Sequence, residues 1–174
     1  MTDDGQPDIG IDIGTHRLAY GWPYWTMAAS VDLSRHKPKG QSRDTELRTL
    51  QAWLVRYIPT GAQLWIDQPF AGQGNVATAQ SMSETVSAVL TAQDWAVPPV
   101  VVHQSTWKVA TVGDPHANKA ATHAWLSEHY PHLAVVCDTE DEVDAMVIGL
   151  YGQMRSNGQV NAPAPHRPRR RART

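Results

Sequence analysis

Four aspartates, Asp12, Asp67, Asp141 and Asp144, are the residues whose type and placing point to shared chemistry. Several carboxylates crowded into one cleft repel, so they hold either protons or metal. Oxygen donors without cysteine or histidine favour hard cations, Mg²⁺ or Mn²⁺. Two such ions can stabilise the attacking water and the leaving oxygen of a phosphodiester. The expectation is therefore a two-ion Mg²⁺ site, with Mn²⁺ as substitute, held by these four acids. Asp141 and Asp144 stand three apart and share one helix face. Each acid also has a plainer use. Negative charge in the first turns of a helix suits its macrodipole, and Thr139 with Glu142 has capping-box spacing. Asp12 sits among isoleucines and Asp67 follows Ile66; a buried arginine would be the alternative partner for either, since an unpaired buried carboxylate is costly.

The elements that must position these acids are legible from periodicity. In Ile9-Gly10-Ile11-Asp12-Ile13-Gly14 the isoleucines alternate, which puts Asp12 on the opposite face of a strand. The aromatic-rich run Arg17 to Trp25 follows a short turn, as in a hairpin, and Thr26 to Leu33 supplies a third strand. A polar loop covers Ser34 to Ser42. Ser42 or Asp44 caps a helix carrying Leu47, Leu50, Leu54, Tyr57 and Ile58, which Pro59 and Gly61 end. Ala62 to Asp67 reads as a buried strand and Val76 to Gln93 as a second helix. Pro99 to His103 is a short strand, followed by helical segments over Ser105–Ala110, Asn118–His129 and Glu140–Arg155. This order predicts an α/β fold of ribonuclease H-like layout, a central five-stranded mixed sheet flanked by helices. The first and fourth strands are expected to be neighbours, bringing Asp12 and Asp67 together. One domain over 1–156 and a disordered, basic Pro/Arg-rich tail over 157–174 are expected.

Charge is unevenly spread. Of 15 basic residues, five lie in the last eight: Arg167, Arg169, Arg170, Arg171 and Arg173. The other ten face 17 acidic residues, an acidic body with a basic arm suited to a polyanion. A merely solubilising terminus is the alternative. Cys137 is the only cysteine, which excludes an internal disulfide and a zinc–thiolate cluster and fits a reducing compartment. The acidic start is unlike a signal peptide and no apolar run reaches membrane-spanning length, so a cytoplasmic protein is expected.

At these acids the chain resembles the RuvC family of Holliday junction resolvases, over roughly Asp8 to Gly152. The stretch Ile9 to Trp22 is similar to that family's first strand and hairpin, with Asp12 on its first catalytic acid. Asp67-Gln68-Pro69-Phe70, with Asn75 beyond, is similar to its second acidic motif, though the family usually has glutamate at the position of Asp67. Phe70 falls where a family residue enters the junction and helps unstack bases. Trp107 to Lys119 matches a lysine-rich segment, which implies that Lys108 and Lys119 approach the reacting or flanking phosphates. Asp141-Glu142-Val143-Asp144-Ala145 resembles the closing acidic pair. The resemblance implies a homodimeric, Mg²⁺-dependent endonuclease making paired nicks in branched DNA and leaving 5′-phosphate ends. Arg17, Arg35, Lys37, Lys39 and the tail arginines are candidate phosphate contacts.

Two other classes are weighed against this. Asp12-Ile13-Gly14-Thr15 also fits the phosphate motif of sugar kinases and actin, but those proteins need two such domains and this chain is too short. Gly113 to Lys119 lacks the glycine before the lysine and the Ser/Thr after it that a P-loop requires. A junction-binding module of the same fold without metal chemistry is the remaining alternative.

Overall fold

Three β-strands open the chain: β1 (Asp8–Ile13), β2 (Arg17–Trp22) and β3 (Met27–Asp32). After α1 (Arg43–Tyr57) come β4 (Gln63–Gln68), α2 (Val76–Leu90) and β5 (Val100–His103). Helices α3 (Gln104–Thr111), α4 (Lys119–His129), α5 (Pro131–Ala134) and α6 (Glu140–Ser156) complete it. The computed structural model describes residues 7–14, 17–32, 42–68 and 76–160. Phe70, Arg35, Lys37, Lys39 and the tail residues Arg167, Arg169, Arg170, Arg171 and Arg173 lie outside the described residues.

The sheet is five-stranded and mixed, in the order β3-β2-β1-β4-β5. β1 pairs antiparallel with β2 and parallel with β4, so the first and fourth strands are neighbours as expected. Period-two alternation then sorts the side chains by face. Ile9, Ile11 and Ile13 join Leu18, Tyr20, Leu64 and Ile66 in one core, closed by Leu50 and Leu54 of α1 and Ala88 and Val89 of α2. The other face carries Trp65 and Val102 and is covered by α6, with Trp107, Leu126 and Leu133 from α3, α4 and α5 behind it. The result is a helix–sheet–helix sandwich.

Several boundaries differ from expectation for local reasons. β2 stops at Trp22, because Pro23 starts a single 3-10 turn to Trp25 and Thr26 takes a left-handed conformation (φ 53°). α1 begins after Ser42, whose side chain makes no capping bond. α2 ends at Leu90, short of Gln93. The one-turn α5, led by Pro131, has too few residues to show a helical period. After α6 the chain turns through Gly158, and Val160 packs back on the core.

α6 is buried continuously from Glu142 to Gly152 because it lies directly on the sheet. Glycine makes that approach possible. Gly10 and Gly21 are cross-strand partners. A Cβ on Gly10 would meet the Ala145 carbonyl oxygen at 2.0 Å and the Gly149 nitrogen at 2.3 Å. One on Gly21 would meet the Met146 backbone at 2.3 Å. On the helix side, a Cβ on Gly152 would strike the Trp65 indole at 2.3 Å. Direction is fixed at both ends. Near its C-terminus, Ser156 Oγ donates to Asp8 Oδ1 at 3.0 Å, and the same oxygen accepts from Trp65 Nε1 at 2.7 Å. At its start, Thr139 accepts from the Glu142 amide at 3.2 Å. The capping box is completed differently from expectation: Glu142 accepts the Asp138 amide (2.7 Å) and the Ser30 hydroxyl (2.7 Å), tying the helix head to β3. α6 therefore runs antiparallel to β1, and its acidic first turns arrive where β1 and β4 end.

Candidate active site

Asp12 and Asp67 are brought side by side by strand register. Ile11 is paired with Ile66, and the next residue on each strand is the aspartate. Both lie on the face that α6 covers. Asp144, on the second turn of α6, is 4% exposed, and its Oδ1 is buried without a hydrogen-bond partner. Asp141, one turn earlier, stands at the rim. The helical spacing does what it implied, since Lys119 Nζ is hydrogen-bonded to Asp141 and lies 3.9 Å from Asp144.

Burial and mutual charge act together on Asp12, Asp67 and Asp144. Burial, then the charges of Asp144, Asp67 and Asp141, push the Asp12 carboxyl from 3.8 up to about 8, with Lys119 opposing. Asp67 rises to about 7 through burial and the Asp144 charge, against the Trp107 hydrogen bond and Lys108. Asp144 rises to about 6, chiefly by burial, against Lys119 and Lys108. Burial opposes the Lys119 charge, yet its bond to Asp141 and the charges of Asp141, Asp144 and Asp12 hold its pKa above the usual value. A cluster of this kind stores repulsion that protons or a cation relieve.

That repulsion sets a direction for stability. Raised carboxyl pKa values mean that the folded chain holds protons which the unfolded chain has already lost. The contribution is complete below the ordinary value of 3.8 and disappears as pH climbs through about 6, 7 and 8. Without divalent cation, urea unfolding should show a loss of about 3 kcal/mol across that window; the full 1.36 kcal/mol per pH unit is discounted because the acids share their repulsion. Asp12→Asn should flatten the profile. A stability that rises with pH over this range would refute the assignment.

The remaining candidates take varied positions. Asp67 is held by Trp107, whose indole Nε1 donates to Asp67 Oδ1 at 3.0 Å in a buried contact. Sequence reasoning missed this role for Trp107; a lone tryptophan in a helix reads simply as core. Lys108 is buried, donates to the Ala117 carbonyl at 2.6 Å and lies 5.3 Å from the Trp107 ring centroid. It touches the acids only through its charge. Arg17 is paired with Asp141 (3.3 Å) and Asp32 (3.8 Å), so it borders the acids directly. Asp141 is thus flanked by two cations, Arg17 and Lys119. Beside Lys119 lies a cavity of about 350 Å³, lined by Ala120, His123, Cys137, Asp138, Thr139, Glu140 and Val143. The Cys137 thiol there is pushed up to about 12 by burial, Glu142 and Asp138, which leaves it inert as a nucleophile.

With this geometry in view, the comparison with solved structures is decisive for the fold. Thermus thermophilus RuvC in complex with a Holliday junction substrate superposes with a TM-score of 0.62, covering 88% of this chain and 96% of that one at 17% identity. The fold is that of RuvC. A second Thermus thermophilus RuvC structure matches with a TM-score of 0.55 at 19% identity, over 85% of this chain and 96% of that one. No family model and no curated protein matches the chain. The RuvC fold is therefore kept here at an identity where side-chain chemistry must be argued from this chain's own residues. Among the described residues no helix is long and apolar enough to cross a membrane.

The residues fit a hard cation by donor type and by electrostatics. Asp12, Asp67 and Asp144, whose carboxyl pKa values are raised, the last carrying an unpartnered buried oxygen, form an oxygen-only set with Asp141 at its rim. In the arrangement seen, no three acidic, histidine or cysteine side chains among the described residues are gathered closely enough to hold one ion. Lys119 supplies the positive charge instead.

Proposed function

We propose that this protein is a divalent-cation-dependent endonuclease that cuts branched DNA, four-way junctions above all, as a homodimer. The observation that carries the reading is the meeting of Asp12, Asp67 and Asp144 at one end of the sheet, where burial and then the neighbouring acids raise the Asp12 carboxyl to about 8. The fold shared with a RuvC bound to a Holliday junction supports the choice of substrate. A dimer matches the symmetry of a four-way junction, which needs two equivalent cuts for resolution.

Asp12, Asp67 and Asp144 would hold Mg²⁺ or Mn²⁺, with Asp141 at the rim. Bound there, the cation would supply Lewis acidity to activate water and to stabilise the leaving oxygen. The protein's own contribution is placement. Trp107 fixes the orientation of Asp67, and the glycine seat of α6 fixes Asp144 against Asp12. Asp67 in place of glutamate is one methylene shorter, and its position at the buried end of β4 next to Asp12 is where that shorter reach has to suffice. Arg17 and Lys119, both partly exposed at the rim, are the cations nearest an approaching phosphate.

A non-catalytic junction-binding reading is favoured by one observation, the engagement of Asp141 by Arg17 and Lys119 without three gathered carboxylates. Incubating the protein with a labelled four-way junction and with linear duplex of the same sequence separates the two. Cleavage of the junction in Mg²⁺, absent with chelator and weak on duplex, is expected. Tight junction binding without cleavage would establish the scaffold instead.

The basic tail gives a second prediction. Deleting residues 167–174 removes five arginines, which should weaken junction binding at low salt and reduce the slope of log affinity against log salt by up to about 4. An unchanged slope in a gel-shift titration would exclude the tail from the phosphate contacts.

A further inference from the structure

We propose that Lys119 is a built-in counter-ion which occupies the acidic centre in the absence of divalent cation and competes with it, withdrawing into the adjoining cavity when the cation binds. This inference rests on the metal reading above and deepens it.

The contacts of Lys119 are those of an occupant. Its ammonium is hydrogen-bonded to Asp141 and lies 3.9 Å from Asp144, the acid whose other oxygen is buried and unpartnered. Arg17 holds the opposite oxygen of Asp141 at 3.3 Å, so Asp141 is spanned by two cations. Both oxygens of Asp141 are thus already engaged by the protein's own cations.

A dication arriving between Asp12, Asp67 and Asp144 would face the lysine charge within a few ångströms, so the two occupancies exclude one another. Lys119 has somewhere to go. Its side chain is 41% exposed and starts at the first residue of α4, whose amide ladder Asn118 caps without using the lysine. The cavity of about 350 Å³ that Lys119 lines also presents Asp138 and Glu140, which can receive an ammonium leaving Asp141. Lys108 does not share this freedom, because its ammonium is buried against the Ala117 carbonyl.

The test is calorimetric titration of the full-length protein with Mn²⁺ in the absence of DNA, alongside Lys119→Gln and Lys119→Arg. Lys119→Gln should bind Mn²⁺ about tenfold more tightly or better, and metal-free it should melt at lower temperature than the wild type while gaining more from added Mn²⁺. Lys119→Arg keeps the charge and should stay within about threefold of the wild type. Binding to Lys119→Gln alone, with none to the wild type, would also support competition. Equal or weaker Mn²⁺ binding by Lys119→Gln, beside clear binding by the wild type, would overturn this inference and leave the metal reading standing. No Mn²⁺ binding by any of the three proteins would overturn both.

Discussion

Asp12→Asn is expected to bind a four-way junction as tightly as the wild type, or more tightly, and to cleave it at least about 10³-fold more slowly. The change is nearly isosteric, so β1 keeps its register and the site keeps its shape. What disappears is the acid whose carboxyl is raised furthest, by burial and then by its acidic neighbours. On the proposed metal reading, losing one ligand would weaken the Lewis acidity that activates water, an effect of several kcal/mol on the barrier. Binding should survive because the proposed phosphate contacts are cations rather than Asp12, and removing a negative charge there should help rather than harm. Single-turnover cleavage with gel-shift affinities on the same junction measures both. A rate within tenfold of the wild type would show that Asp12 is not part of the reacting centre.

The second large effect belongs to the fold. Gly10→Ala should destabilise the protein by about 3 kcal/mol or more, at the upper end of overpacking costs. The added Cβ meets backbone atoms of α6 at 2.0 and 2.3 Å, and backbone cannot step aside as a flexible side chain would. The helix must lift or tilt, which moves Asp144 away from Asp12, so catalysis should fall in whatever fraction remains folded. Gly61→Ala is the control, since nothing lies within 4 Å of a Cβ there, and it should change stability by less than about 0.5 kcal/mol. Urea midpoints of the two variants give the comparison. Equal midpoints would mean that the close seat of α6 is not what the glycines provide.

Much of this was open to reading from the sequence, because the signals were periodic. Alternating isoleucines placed Asp12 on the face opposite the α1–α2 core, and the three-residue step between Asp141 and Asp144 placed both beside one point, which Lys119 marks. The neighbourhood of β1 and β4 followed from the expected mixed sheet. Other features carry no periodic trace. Gly10, Gly21, Gly149 and Gly152 are scattered over 143 positions of chain, and only the packed structure shows that all four lie in the seam between α6 and the sheet. The bond from Trp107 to Asp67 joins α3 to β4 across 40 residues, and no local pattern announces it. Lys108 and Lys119 look alike in sequence, yet one is buried on a carbonyl and the other is paired with the acids. Glu142 has capping-box spacing but spends its side chain on Ser30 and Asp138, because β3 lies within its reach.

The proposed function is cleavage of branched DNA by the acids near the ends of β1 and β4 and the start of α6. Its most direct test is a four-way junction carrying a distinct label on each strand, reacted with excess wild-type protein in Mg²⁺ and quenched within one turnover. Nicks of equal yield in two opposed strands, each leaving a 5′-phosphate and each abolished by chelation, are the expected result. A junction held in stable complex with all four strands intact, in Mg²⁺ and in Mn²⁺ alike, would contradict it.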